Sequence, residues 1–241
     1  MDEAIKVLDH GLVRLVDFMG SDLSVVRAAR VSYDAAWRAG EDENKDIKLI
    51  HYLWRNKHTT PFESVSMTFE IKAPIFVFRQ WHRHRTQSYN ELSARYKELP
   101  EEFYVPIPEN IGWQAKDNKQ ARVLDSFQRT EDEIIRLEQA IQAYKSVCEA
   151  AFDRYKVLLN SGWPRELARM VLPLSTYSHM FTTMNLRNLF HFLELRLHSH
   201  AQYEIRVYAE AMLKLIAPKV PVSHDAFCSI FLANNILERN R

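Results

Sequence analysis

The stretch of this chain richest in chemistry is Arg83-His84-Arg85-Thr86-Gln87-Ser88-Tyr89-Asn90-Glu91-Leu92-Ser93-Ala94-Arg95-Tyr96. Three arginines with hydroxyl and amide side chains between them can grip a dianionic phosphate through forked, charge-assisted hydrogen bonds, leaving Asn90 and Glu91 to read a base. Two alternatives stand beside that reading: a solvated charged face, although the (i, i+4) Glu-to-Lys pairs of a plain exposed helix are missing, and an RNA contact made by arginine and tyrosine together. A second group is Asn185, Arg187, His191, Arg196 and His200, set in the apolar run LxxLFxFLxL. Arg187 with His191, and Arg196 with His200, are four apart, so a helix would put each pair on one face. Cations beside a core stripe are costly unless they meet an anion or an acceptor, and a carboxylate from another helix is the plainer partner.

Three smaller groups complete the inventory. In His58-Thr59-Thr60-Pro61-Phe62-Glu63 a histidine and a carboxylate frame a proline turn, and Pro61 biases Thr60 towards an extended backbone that can point its hydroxyl outward. The plain alternative is a capped turn with Phe62 plugging the core. Arg169, in the apolar PRELARMVLPL, calls for a buried partner. The pairs His82/His84 and His198/His200 lack a third ligand at motif spacing, so no metal site is expected.

Composition narrows how such groups could work. Thirty-two Lys+Arg against thirty-one Asp+Glu leave a net charge of +1, far from the excess that general nucleic-acid binding by counterion release needs, so any affinity for phosphate must be local. Only five glycines occur in 241 residues, none close enough to another to form G-x-G-x-x-G or G-x-x-x-x-G-K-[ST]. A nucleotide bound here is therefore held by side chains. Cys148 and Cys228 lie 80 residues apart in apolar helical contexts without a neighbouring base, which fits inert thiols in a reducing, cytoplasmic setting. No apolar run approaches the ~18 residues of a membrane span, and the N-terminus has no signal-peptide pattern.

The elements that must position these groups follow from periodicity. Ile5–Leu8 and Leu12–Met19 alternate around Asp9-His10-Gly11 as a hairpin. Asp22 reads as the N-cap of a helix through LSVVRAARVSY, and residues 42–57 form a second amphipathic helix with Ile47, Ile50, Leu53 and Trp54 on one stripe. Val65, Met67, Phe69 and Ile71 alternate as a half-buried strand, and Pro74 opens a short helix, PIFVFRQWHRHR, as its first-turn residue. Residues 84–100 read as irregular, and 109–129 as a mobile surface connection. Thr130-Glu131-Asp132-Glu133 is a capping box for a helix of roughly thirty residues ended by Ser161-Gly162. Ser175–Met184 alternates as a strand, Asn185 caps one long helical stretch to Pro218, and a last helix follows Ser223. The pattern predicts an α+β protein, a few antiparallel strands packed with long helices, as a single domain over residues 1–241.

Arg83-His84-Arg85, seven residues, then Ser93 resembles the signature of the flavin-dependent thymidylate synthases. DLSVVRAARVSY, HTTPFE, APIFVFRQWHRHR, PRELARMVLPL, MNLRNLF and LRLHSHAQYEI also resemble that family's segments, in its order and over nearly the whole chain. The resemblance implies the family's fold and an FAD enzyme, the flavin held non-covalently, that makes dTMP from dUMP with 5,10-methylenetetrahydrofolate as carbon donor and NADPH as reductant. By position it implies nucleotide contacts from Gln80, Trp81, His82, Arg83, Glu91, Leu92, Ser93, Ala94, Arg95, Arg169 and Arg196. For FAD it implies Thr60, Arg83, His84, Arg85, Thr86, Glu91, Asn185, Leu186, Arg187 and His191. Arg196 stands at the position credited with promoting ionisation of pyrimidine N3, which makes it the catalytic candidate; Ser93, without an adjacent base, reads as a nucleotide contact. The family is similar in being homotetrameric with shared sites, so the Arg83–Arg95 segment of one chain is expected to meet the Arg187/His191 face of another. His191 stands where the family commonly has asparagine, and Ala94 where glycine is frequent. The rival readings are a catalytically silent nucleotide- or RNA-binding protein of the same fold, and an enzyme acting on another pyrimidine nucleotide. Together, Arg83, Ser93, Arg169, Arg187 and Arg196 argue against the first.

Overall fold

The computed structural model describes residues 4–115, 122–123 and 129–239. Alternating apolar residues build a sheet whose order is not the chain order. Strands β1 (Ala4–Val7) and β2 (Gly11–Met19) form the expected hairpin, with Val7 opposite Gly11. Strand β3 (Ser66–Pro74) lies between β2 and a distant strand near residue 180. A short strand, β4 (Ser88–Glu91), runs within the segment expected to be irregular. The pairs β5 (Trp113–Gln114) and β6 (Arg122–Val123) make a small separate ribbon, and β7 (Tyr177–Asn185) completes the main sheet in the order β1-β2-β3-β7-β4, antiparallel throughout.

The side-chain period of two decides which face is buried. Met67, Phe69 and Ile71 of β3 stand opposite Met184, Thr182 and Met180 of β7, and all six are buried. The intervening residues form a polar face, where Glu70 bridges Arg14 at 2.9 Å and His179 at 2.8 Å.

Helices cover the buried face. They are α1 (Asp22–Arg30), α2 (Glu43–Arg55), α3 (Ile75–Trp81), a single turn α4 (Pro108–Ile111), the long α5 (Glu131–Asn160), the short α6 (Arg165–Ala168), α7 (Leu186–Arg196), α8 (Tyr203–Ile216) and α9 (Pro221–Arg239). One core joins residues from Val7 to Phe227, with Trp54, Phe62, Phe190 and Phe227 in mutual ring contact. A smaller cluster of Phe152, Tyr155 and Ala168 fixes α5 and α6 against Phe103. Thr130 caps α5 in the expected capping box, accepting from Glu133 N at 3.3 Å. This is the α+β architecture that the sequence pattern predicts. Among the described residues no helix is long and apolar enough to cross a membrane.

Six local expectations are corrected. Ser21, not Asp22, is the N-cap of α1; the Asp22 carboxylate instead accepts from Val222 N at 2.8 Å and Ser223 N at 2.9 Å, capping α9, which begins at Pro221 rather than after Ser223. Pro74 ends β3 and serves as N-cap of α3 instead of entering its first turn, and α3 stops at Trp81. Strand β4 was hidden because SYNE carries no apolar alternation and exists only by pairing with β7. The long helix expected from Asn185 to Pro218 breaks at residues 197–202 into α7 and α8, because the polar HSH run has no core face to bury. Within 109–129, expected to be a mobile connection, the described part is anchored: Arg122 of β6 pairs with the buried Glu204 of α8 at 2.7 Å. Residues 116–121 and 124–128 lie outside the described residues.

Candidate functional site

The arginine-rich segment is held in place by the residues between its arginines. The Tyr89 hydroxyl, on β4, donates to the carbonyls of Trp81 (3.1 Å) and His84, folding the 82–87 turn back against the end of α3. Burial pushes the Tyr89 hydroxyl up to about 12, so it remains a donor. Gln87 is fixed from two sides, its Oε1 accepting from the Trp81 indole at 3.1 Å and from the Thr182 hydroxyl of β7 at 3.0 Å. Tied down in this way, the turn leaves Arg83 and Arg85 exposed, and neither makes a side-chain hydrogen bond or ion pair among the described residues.

His84 points the other way, into the core, with its ring 4.7 Å from that of Phe192. Its Nε2 accepts from Arg196 Nε at 2.9 Å, and Arg196 Nη2 reaches the Gln80 carbonyl at 3.2 Å. Burial first, then the charges of Arg196 and of His191, pull the His84 pKa down from 6.5 to about 4. The imidazole is therefore neutral near pH 7, and because Nε2 accepts, the proton sits on Nδ1. Burial also lowers the Arg196 pKa. Its partners are a neutral ring and a carbonyl, so the guanidinium keeps its charge without a carboxylate among the described residues to neutralise it.

The other end of α7 faces a different group. Asn185 caps the helix, its Oδ1 accepting from Asn188 N at 2.9 Å, and Asn188 Nδ2 donates to the Thr86 carbonyl at 3.0 Å. Arg187 is paired with Glu63 of the 60–64 turn, so here the plainer alternative, a carboxylate partner, holds. Thr60, Thr86 and His191 are exposed around it, whereas Leu186 is fully buried and its backbone N–H donates to the Val65 carbonyl at 2.9 Å. His191 stands 6.4 Å from the His84 ring. His200 lies beyond the end of α7, so the expected Arg196/His200 helix face does not form.

Past β4 the chain turns at Ser93, whose carbonyl accepts from Tyr96 N at 3.0 Å and whose hydroxyl accepts from Arg95 N at 3.4 Å. Among the described residues no base meets that hydroxyl. The Arg95 guanidinium lies 5.4 Å over the ring of Tyr96, and both are exposed. Glu91 Oε1 accepts from the Ser178 hydroxyl at 2.7 Å, with His82 Nε2 3.9 Å from its other oxygen. Leu92 N donates to His179 O at 2.7 Å, continuing the sheet, and Ala94 is buried. Trp81 is wholly buried in the core, so its side chain cannot touch a ligand.

A single chain thus joins Gln80, His84, Thr86 and Arg196 across α3, the turn and α7. It does not bring in Arg169, which is exposed and whose side-chain hydrogen bond, from Nε, is to the Glu166 carbonyl at 3.3 Å. The buried partner expected for Arg169 is absent among the described residues. Sequence reasoning missed Ser178, which holds Glu91, and Gln202 and Glu204, which stand behind Gln80. The signals for the last two were the polar HSHAQ interruption of an otherwise apolar run and their place in LRLHSHAQYEI, a segment resembling the family's.

Comparison with known proteins shows what the chain is similar to. A family model described as "Thymidylate synthase complementing protein" matches residues 14–222. A flavin-dependent thymidylate synthase of Treponema denticola is 47% identical over 228 residues, covering 94% of this chain and 82% of that protein. One from Thermotoga neapolitana is 44% identical over 233 residues, covering 97% and 98%. Among solved structures, a UMP/dUMP methylase PolB from Streptomyces cacaoi bound with 5-Br dUMP superposes with a TM-score of 0.82 at 42% identity, covering 93% of this chain and 97% of that one. The chain belongs to the flavin-dependent thymidylate synthase family.

Proposed function

We propose that this protein methylates dUMP to dTMP, with FAD bound non-covalently, 5,10-methylenetetrahydrofolate as carbon donor and NADPH as reductant. The observation that carries the reading is the half-buried guanidinium of Arg196, held by the neutral His84 ring and a carbonyl. A cation about 4 Å from a developing N3 anion is worth roughly 4 kcal/mol at an effective dielectric near 20, before its own desolvation is subtracted. That is about three units of pKa. Arg196 would thus favour the ionised pyrimidine, whose C5 is the better carbon nucleophile.

The remaining residues bind and orient. Arg83 and Arg95, exposed and without a carboxylate partner among the described residues, suit the nucleotide phosphate, with Ser93 beside it and Glu91 left for the base or sugar. The residues of the other end fit a flavin dinucleotide. The N-terminus of α7 presents its positive end, with Asn185, Leu186 and Arg187 there, Arg85 and Thr86 opposite, and Thr60 and His191 flanking, which suits a pyrophosphate where no glycine loop exists. When bound, the flavin supplies hydride transfer and the folate the one-carbon unit.

We also propose a homotetramer with shared sites, acting in the reducing cytoplasm. Arg169, stranded beside the exposed Met170 and Leu174, supports completion by a neighbouring subunit, and the two free thiols support the compartment. Co-expression of Arg169→Ala and Arg196→Ala chains should then restore activity above the sum of the two alone.

The test of the central reading is spectroscopic. The purified protein should show a flavin visible spectrum that shifts on adding dUMP, with UMP run alongside because PolB is a UMP/dUMP methylase. Arg196→Ala should keep the flavin spectrum and lose turnover by about a hundredfold or more. Full turnover in that variant would remove Arg196 from the chemistry.

A further inference from the structure

Behind the site runs a chain of side chains that the family signature does not contain. Gln80, in the last turn of α3, donates through Nε2 to Gln202 Oε1. Gln202 donates through its own Nε2 to Glu204 Oε2 at 2.8 Å. Glu204 is 1% exposed, and its other oxygen accepts from the Tyr104 hydroxyl at 3.1 Å and from Arg122 Nη2 at 2.7 Å. The backbone carbonyl of Gln80 is the one that accepts from Arg196, so this chain ends beside the catalytic guanidinium.

A primary amide can be turned end for end with almost no change of shape, so its donor and acceptor ends are assigned by its partners. Glu204, with three donors converging on its two oxygens, has only acceptance to offer. Gln202 must therefore turn its NH2 towards Glu204 and its carbonyl oxygen towards Gln80. Gln80 must then donate, which leaves its own carbonyl oxygen without a partner among the described residues. Reversing any one amide would set oxygen against oxygen or NH2 against NH2 inside a poorly solvated wall, where an unmade hydrogen bond is expensive.

We propose that the buried Glu204, acting through Gln202, fixes the sense of the Gln80 amide so that its Oε1 is presented to the nucleotide as an acceptor, making Glu204 and Gln202 positioning residues that select a nucleotide carrying a hydrogen-bond donor at that point. The inference rests on the reading of Gln80 as a nucleotide contact. Deoxyuridylate has two such donors, the sugar 3′-hydroxyl and, in the ring before it ionises, N3–H. A site built to accept from a ligand donor rejects the analogue that lacks it, because the acceptor is then left unpaired.

The experiment measures binding of dUMP, 2′,3′-dideoxyuridylate and N3-methyldeoxyuridylate to the full-length protein by calorimetry. Wild type is compared with Gln80→Leu, Gln202→Met and Glu204→Gln, each first checked for an intact melting transition. Wild type should prefer dUMP over one of the analogues by about tenfold. In Glu204→Gln, whose new amide can donate and so let the chain reverse, and in Gln202→Met, which breaks it, that preference should fall to within about twofold. Affinity for the analogue itself should hold. The arm in which the preference collapses names the donor. A merely structural role would weaken all three ligands alike and leave the ratios standing, and unchanged ratios in both arms overturn the proposal, as does a wild type that discriminates against neither analogue. If Glu204→Gln fails to fold, Gln202→Met, which removes no charge, decides alone. Unaltered dUMP binding in Gln80→Leu overturns the placement of Gln80 and this inference with it. Weakened binding in Gln80→Leu with wild-type ratios in the other two variants overturns the inference alone.

Discussion

Arg196 and His84, 112 residues apart, are joined by a hydrogen bond of 2.9 Å in which the guanidinium donates and a neutral imidazole accepts. A carboxylate in place of His84 would hold the arginine as firmly and cancel the charge that the site needs. The same bond fixes the imidazole tautomer, so each residue sets the state of the other.

One consequence is a pH dependence of stability. The folded His84 pKa lies near 4 and its ordinary value is 6.5. Between those values the unfolded chain takes up a proton that the folded chain refuses, so stability is fully present above pH 6.5 and declines as pH falls towards 4, by at most about 1.4 kcal/mol per pH unit. His84→Gln keeps an acceptor for Arg196 without titrating. Urea midpoints followed from pH 7 to pH 4 should fall more steeply for wild type than for this variant. Parallel curves would show that folding does not lower the His84 pKa.

Arg95 is exposed beside Tyr96, and no carboxylate among the described residues engages it. Arg95→Ala should weaken dUMP by about tenfold or more, the usual worth of a charge-assisted contact, while barely changing the binding of deoxyuridine. Equal losses for both ligands would place Arg95 away from the phosphate.

Neither cysteine is expected to act as a nucleophile. Cys148 is buried, its Sγ 3.7 Å from the Ser175 hydroxyl. Cys228 does have a neighbouring base, contrary to the sequence reading: His224 lies one turn earlier with ring nitrogens 3.7 and 3.9 Å from Sγ. Burial, followed by the Asp225 charge, nevertheless raises the Cys228 thiol pKa, and burial lowers that of His224, so no thiolate–imidazolium pair is favoured. The Cys148→Ser, Cys228→Ser double variant should fold and turn over substantially; a folded, flavin-loaded but inactive double variant would contradict the mechanism.

Gly11 is required by packing. A Cβ there would stand 2.1 Å from the Tyr208 hydroxyl and 2.4 Å from the Val7 carbonyl, and that hydroxyl donates to the Lys72 carbonyl at 2.8 Å. Gly11→Ala should cost roughly 1 to 3 kcal/mol, the range for overpacking a tight site. Adding Tyr208→Phe removes one of the two clashes and should return part of that loss in thermal denaturation. A double variant less stable than the sum of the two singles would show that the hydroxyl is not the obstacle.

Sequence alone determined those features whose physics lies within a few residues. The alternation of Val65 to Ile71, the capping box at Thr130, the Asn185 cap and the stop at Ser161-Gly162 depend on near neighbours, and each stands in the structure. The arginine–histidine signature and the shortage of glycine were equally legible, because residue types are visible without coordinates. Tertiary structure decided what those residues meet. Asp22 looked like a local cap but serves a helix two hundred residues away, and SYNE became a strand only because β7 offered it a partner edge. Nothing near His84 in the chain foretells that it turns inward to Arg196 while Arg83 and Arg85 turn out, and nothing near Gln80 foretells Gln202 and Glu204. Hydrogen bonds act over about 3 Å, so partners separated by a hundred residues of chain are chosen by how sheet and helices stack and leave no mark on the local pattern.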